Sequence, residues 1–230
     1  MQAASYRRLS VALIVVWWAR KAIIAAQQLA HGFEVTSVAQ IATMVALRFV
    51  VLVPLLTLLL RGSEERWVGL GLAPRPFLRP LLRGLGFGVA IFLIANLLVG
   101  GVVKAVLHTP ETPETLVRLL RDPHDLPLWL FCTIIGGGFS EELLRIFVLT
   151  RFERTLGRTG LVIAVVLETI SFGLGHAYQG LGGVVGTAVT GLLFALIYLR
   201  RRCALDAMFA HAIFDLIGLA IGYAVYGQWH

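Results

Sequence analysis

Apolar stretches long enough to cross a lipid bilayer recur along the whole chain. Of its 230 residues, 58% are hydrophobic and only 14% are charged, whereas a soluble domain has about 25% charged residues. A bilayer core about 30 Å thick is crossed by about 20 helical residues. The sequence therefore predicts an all-α fold, a polytopic membrane bundle of about seven to eight helices. Residues 1–230 are expected to form a single transmembrane domain.

The hydropathy pattern predicts seven spans, two of which are atypical. The first contains Arg20 and Lys21 at its middle, so it is either an interfacial helix or a span whose basic pair faces the bundle. The fifth is short. The predicted spans are Leu9–Ala30, Val38–Leu60, Leu82–Leu107, Leu126–Thr150, Leu161–His176, Leu181–Leu199 and Ala204–Tyr226.

The net charge of +7 comes from basic residues that are spread over loops and form no single face. This distribution argues against a nucleic-acid partner and is typical of the positive-inside bias of a multi-pass protein in the cell membrane. Thirteen of the twenty Lys and Arg residues fall on one predicted side: Arg7, Arg8, Arg61, Arg66, Arg75, Arg79, Arg83, Arg151, Arg154, Arg158, Arg200, Arg201 and Arg202. We expect a cytoplasmic N-terminus and, with seven spans, a C-terminus on the other side.

Two adjacent acids, Glu141 and Glu142, lie deep in the fourth predicted span. Glu141 precedes Arg151 by ten residues, which is about 15 Å along a helix, so the pair is expected near the bilayer centre. Gly136–Gly138 predict an interruption of this span, after which a helix restarts with Ser140 as N-cap. Helix capping would be the structural explanation of the acids, but carboxylates at this depth are costly and usually functional.

Arg145 follows Glu141 by four residues and Glu142 by three, so a helix places it on the face of both acids. An ion pair between Arg145 and one acid would neutralise that acid and give it a structural role. The other acid would remain free to titrate. A carboxylate in such a low-dielectric site can serve as a general base near neutral pH.

Two later spans carry histidines in helical register with other side chains. Phe172 lies one turn before His176, so its ring can orient the imidazole, and Glu168 lies two turns before it. Glu168 either orients the imidazole as well or forms another internal ion pair. His211 and Asp215 are also one turn apart, as in a structural hydrogen bond, a catalytic dyad or a metal site.

These segments, in their order, resemble the three motifs of the CPBP family, the CAAX proteases and bacteriocin-processing enzymes, also called Abi. The matching stretches are SEELLRIFVL at 140–149, FGLGHAYQG at 172–180 and AHAIFDL at 210–216. The resemblance covers a motif-bearing core of about residues 126–226. It implies an intramembrane endopeptidase of glutamate type, in which Glu141 and His176 activate water and His211 and Asp215 form the oxyanion side.

This chain departs from the family pattern at two positions. Arg145 stands one residue earlier than the usual arginine, with Ile146 in the usual place. That spacing favours Glu141 as its partner and leaves open which acid is the base. Asp215 replaces the more familiar Asn, and an ionised carboxylate cannot donate to an oxyanion. Asp215 is therefore protonated, orients His211 or binds a metal.

The leading hypothesis is an intramembrane peptidase that cleaves a membrane-anchored peptide or protein, with Glu141, Glu142, His176, His211 and Asp215 as candidate catalytic residues. Arg145, Phe172 and Glu168 are expected to support them. The alternative is a non-catalytic transporter, immunity or scaffold protein that uses the same buried polar cluster. No cofactor is expected. A metalloprotease remains a third option, since Glu, His and Asp ligate zinc, although the chain has no His-Glu-x-x-His helix.

Overall fold

The computed structural model describes residues 2–31, 35–74, 76–107 and 114–228. Within these ranges the regular structure is entirely helical, which confirms the predicted all-α fold. The α-helices are α1 (Gln2–His31), α2 (Val38–Gly62), α3 (Leu78–Leu93), α4 (Gly100–Leu107), α5 (Glu114–Leu119), α6 (Leu126–Phe131), α7 (Glu142–Leu174), α8 (Gly180–Arg201) and α9 (Ala204–Tyr226). Two π-helices join α3 to α4 and α6 to α7, at Ile94–Val99 and Cys132–Glu141.

Six helical segments among the described residues are long and apolar enough to cross a membrane. The longest, Pro123–Leu174, has 52 residues, or about 78 Å if straight, more than twice a bilayer core of about 30 Å. Its backbone leaves the helical conformation at Gly157, with φ 64° and ψ −151°. Gly157 therefore divides it into two arms, which correspond to the predicted spans four and five.

The turn between these arms is tighter than the sequence predicts. Residues 151–160 were expected to form a loop after span four, but helix continues on both sides of Gly157. Arg151, which was predicted in that loop, is instead buried and donates to Ser63 and Glu65. This arginine therefore belongs to the packed end of the bundle.

The first arm of α7 occupies the centre of the bundle. Ile146, Val148 and Leu149 are completely buried there, and they belong to a core cluster with Leu56 of α2 and Met208 of α9. Large apolar side chains elsewhere face outward, as expected for a protein surrounded by lipid. This buried part of α7 begins at Glu142, so the predicted acid pair lies where several helices converge.

The basic pair at the middle of α1, Arg20 and Lys21, faces two different surroundings. Lys21 donates to the carbonyl of Ser171 at 3.3 Å, so it faces the bundle. Arg20 is exposed, with its guanidinium carbon 5.8 Å from the centroid of the Trp17 ring. The prediction that the basic pair faces the bundle therefore holds for Lys21 alone.

Several of the thirteen basic residues meet in ion pairs. The carboxylate of Glu65 pairs with Arg7, Arg151 and Arg154 at 2.6–3.1 Å. A second buried acid, Asp206, pairs with Arg83 at 2.8 Å and with Arg201 at 3.2 Å. Arg75 lies outside the described residues. The assignment of this basic side to the cytoplasm remains a prediction.

We predict that Gly157→Ala destabilises the fold by about 1–3 kcal/mol, because its φ and ψ are strained for any residue with a Cβ. The matched control is Gly86→Ala, which adds a Cβ inside α3. Both positions have open space around the new atom, so only the backbone conformation differs. Unfolding midpoints in detergent micelles measure both variants. Equal midpoints would contradict the prediction.

Candidate active site

A π-helix leads into the predicted acid pair. Cys132–Glu141 forms this wider helix, and Ser140 Oγ donates to the carbonyl of Ile135 at 2.6 Å, five residues earlier. The predicted interruption with Ser140 as N-cap is therefore wrong. The helix widens here without breaking, and its backbone runs directly into α7. Single π-helical turns are frequent at functional sites because they redirect side chains.

The glycines of this π-helix allow α9 to approach closely. A Cβ on Gly137 would collide with the carboxyl of Asp215 and lie 3.3 Å from His211 Nε2. A Cβ on Gly138 would lie 2.7 Å from the Cβ of Ala212. The glycine run therefore lets the polar residues of α9 lie directly against the helix that carries the acid pair.

Glu142 is completely buried and has two partners. It forms an ion pair with Arg145, three residues later on α7. His211 Nδ1 lies 2.8 Å from Glu142 Oε1, and since a carboxylate only accepts, Nδ1 carries the donated proton. The expectation that Arg145 favours Glu141 is wrong. The π-helix ends at Glu141, and in the α-helical turn that follows Arg145 pairs with Glu142.

Aromatic rings enclose the Arg145 guanidinium and both histidines. The guanidinium carbon of Arg145 lies 4.2 Å from the centroid of the Phe172 ring, within cation–π range. Phe172 also packs against His176, with centroids 5.0 Å apart, and its carbonyl lies 3.0 Å from His176 Nδ1. This geometry agrees with the predicted role of Phe172 beside the imidazole.

Glu141 has different surroundings from its neighbour. Its side chain is 20% exposed and pairs with Arg48 of α2 at 3.0 Å. It also interacts electrostatically with His176 and His211. The sequence analysis did not predict Arg48 as a site residue, although a lone arginine in the middle of an apolar span indicates function.

His211 is held on three sides. Its ring stacks on Phe194 of α8, with centroids 4.4 Å apart and planes 17° apart. Nδ1 donates to Glu142, and Nε2 lies 3.5 Å from Asp215 Oδ2. Nε2 and the 26% exposed carboxyl of Asp215 are thus within ion-pair distance of each other. Phe194 is a further neighbour of the site that sequence spacing did not indicate.

Glu168 lies beside this group rather than in it. Its carboxylate accepts from the indole Nε1 of Trp18 at 2.8 Å, so it links α7 to α1. His176 Nδ1 faces the carbonyl of Phe172 instead. Of the two roles predicted for Glu168, the orientation of this imidazole is not supported by any contact among the described residues. Its through-space interactions with Lys21 and Arg145 agree with the alternative, an internal charge pair.

Contacts join six of the predicted residues into one group: Glu142, Arg145, Phe172, His176, His211 and Asp215. Glu141, next to Glu142 in the chain, interacts with both imidazoles through space. This group combines a partly exposed carboxylate, a second acid that is buried with Arg145 and His211 as partners, and two imidazoles. Among the described residues, no three or more His, Cys, Asp or Glu side chains are grouped so as to hold a metal ion.

Comparison with known protein families agrees with the motifs. Residues 123–217 match the family model "Type II CAAX prenyl endopeptidase Rce1-like". The matched segment contains all three motifs, so the resemblance to the CPBP family that the motifs predicted is confirmed. Searches of the curated proteins and of the solved structures gave no significant match. At the level of this family, the match supports a CAAX-type membrane protease, in agreement with the six helical segments among the described residues that could cross a membrane.

We predict that Glu142→Gln lowers the free energy of unfolding by about 3–5 kcal/mol, because it leaves the buried Arg145 charge uncompensated. The matched control is Glu153→Gln, also on α7, whose acid pairs with the exposed Arg202 at 2.6 Å. That pair contributes about 0–1 kcal/mol. Denaturant titration in micelles measures both, and equal losses would contradict the buried role of Glu142.

Proposed function

We propose that this protein is an intramembrane endopeptidase of glutamate type that cleaves a membrane-anchored peptide or protein. The observation that carries the proposal is the unequal environment of two adjacent acids. Glu142 is fully buried and paired on α7 and α9, whereas Glu141 is partly exposed and interacts electrostatically with both imidazoles. One acid thus has the surroundings of a structural residue, and the other those of a base.

In the proposed reaction, Glu141 removes a proton from a water molecule that His176 helps to position. The resulting hydroxide attacks the carbonyl carbon of the scissile peptide bond, and the carbonyl oxygen becomes an oxyanion. The proton held by Glu141 then passes to the nitrogen, the C–N bond breaks as the oxyanion re-forms the carbonyl, and a carboxylic acid and an amine are released. Positioned proton transfer of this kind contributes roughly 10²–10⁴-fold to a rate.

His211 and Asp215 are proposed to stabilise the oxyanion. Because His211 Nδ1 already donates to Glu142, only Nε2 faces the reaction. Nε2 and Asp215 Oδ2 lie 3.5 Å apart, so a proton carried by either group would provide one donor to the oxyanion. Removing one oxyanion donor typically costs 10²–10³-fold in rate.

The family match supports a CAAX-type substrate, a lipidated peptide held at the bilayer surface. We propose such a peptide as the partner, in the cell membrane, with the basic loops and the N-terminus on the cytoplasmic side. The basic loops support this orientation through the positive-inside bias. No cofactor is required for the proposed reaction, since Glu141 replaces a metal as activator of water.

Glu141→Gln is expected to abolish cleavage, because the amide accepts no proton from water. The assay uses purified protein in vesicles with a farnesylated Cys-aliphatic-aliphatic-X peptide bearing a quenched fluorophore. The same peptide with an acyl anchor tests whether prenylation matters. Turnover is normalised to folded protein.

Two results would contradict the proposed function. Retained turnover in Glu141→Gln would exclude Glu141 as the base. If the parent cleaves neither anchored peptide while it remains folded, the buried polar cluster fits a non-catalytic transporter, immunity or scaffold protein instead.

Asp215→Asn is expected to retain activity or to raise it, whereas His211→Ala loses it. The Asn amide donates without needing an added proton, either to the oxyanion or to His211 Nε2, which is an acceptor when Nδ1 holds the proton. A pH–rate profile of Asp215→Asn beside the parent measures the effect. A fall of several orders of magnitude at every pH would show that the carboxylate itself is required, as a metal ligand or a proton shuttle.

A further inference from the structure

Arg48 of α2 contacts the proposed base although it lies outside the segment that matches the family model. That segment covers residues 123–217, whereas Arg48 is 93 positions before Glu141. Its Nη1 donates to Glu141 Oε1 at 3.0 Å, and its Nη2 donates to the carbonyl of Gly136 at 3.2 Å. One guanidinium therefore binds both the acid and the π-helix that carries it.

We infer that Arg48 is a positioning residue for the proposed reaction, which holds Glu141 ionised and fixes its carboxylate relative to the π-helix. The inference rests on the proposed function, because it takes Glu141 as the base. An isolated carboxylate in a low-dielectric site favours the neutral form, and a neutral carboxyl cannot accept a proton from water. The adjacent cation offsets this preference.

The fork of the guanidinium explains why an arginine suits this position. Two parallel donors fix direction as well as distance. The carbonyl of Gly136, within the π-helix, is the second acceptor of this fork. Arg48 also lines an apolar cavity of about 650 Å³ between α1 and α2, together with Arg20. Arg48 thus contacts both this cavity and the carboxylate of Glu141.

Other charged and titratable groups also face Glu141, so the effect of Arg48 must be separated from theirs. Among them, Arg48 makes the direct hydrogen bond to the acid. The others act through space: Lys21 of α1, Arg145 of α7, His176 and Tyr178 after α7, and His211 and Asp215 of α9.

The experiment compares Arg48→Met with Arg20→Met, which removes an equal charge from the same cavity without touching Glu141. Arg48→Met is expected to lower kcat on the order of 10²-fold, the cost of a misplaced catalytic group, with a much smaller change in KM. The acidic limb of its pH–rate profile should move to higher pH, because the neutral carboxyl is then favoured. Arg20→Met should keep the kcat and the profile of the parent.

Arg48→Lys tests the two parts of the role separately. The lysine keeps the positive charge, so the acidic limb should stay where it is in the parent. It cannot hold Glu141 and the Gly136 carbonyl in a fork, so kcat should lie between those of the parent and Arg48→Met. Arg48→Lys also serves as the test if Arg48→Met yields no folded protein. A kcat equal to that of the parent in Arg48→Lys would then contradict the positioning role of the two guanidinium donors.

Glu141→Gln, assayed in parallel, separates the two possible failures. If Glu141→Gln retains turnover, the proposed function fails and the role of Arg48 fails with it. If Glu141→Gln is inactive but Arg48→Met matches Arg20→Met in kcat and pH profile, the proposed function stands and the positioning role of Arg48 is overturned.

Discussion

The buried contact of Glu142 with Arg145 and His211 is the interaction on which the site depends. Charges removed from both water and lipid headgroups are tolerated only with close partners. Here Arg145 supplies the charge and His211 supplies a hydrogen bond from another helix. The same contact joins α7 to α9 and fixes which nitrogen of His211 carries a proton. Only the opposite edge of that imidazole then faces Asp215.

The change from π-helix to α-helix at the acid pair separates two neighbouring residues chemically. Glu142 opens α7 and faces α9, whereas Glu141 ends the π-helix and pairs with α2. Two identical side chains therefore have different solvent access, different partners and different proposed roles. This separation of environments is how proteins assign distinct acid and base roles to neighbouring carboxylates.

The sequence predicted the helical class, the apolar stretches and most residues of the polar group around Glu142, whose catalytic roles stay a prediction. It was wrong where a choice depended on helix type. The spacing of Arg145 suits either acid, since both i+3 and i+4 residues share a face, and the π-helix decided for Glu142. The run Gly136–Gly138 was predicted to interrupt the helix, whereas the structure has a continuous π-helix there. Arg48 carried a signal in the sequence, but its partner lies on another helix.

What the sequence by itself determined is where apolar and polar residues stand along the chain. Hydropathy fixes which segments suit lipid, and the cost of polar groups at that depth marks Glu141, His176 and His211 as residues that need a task or a partner. The tertiary structure decided the pairing: Arg145 with Glu142, Arg48 with Glu141, Trp18 with Glu168. The physical reason is that ion pairs and hydrogen bonds act over about 3 Å. Partners from different helices come within that distance only once the helices pack.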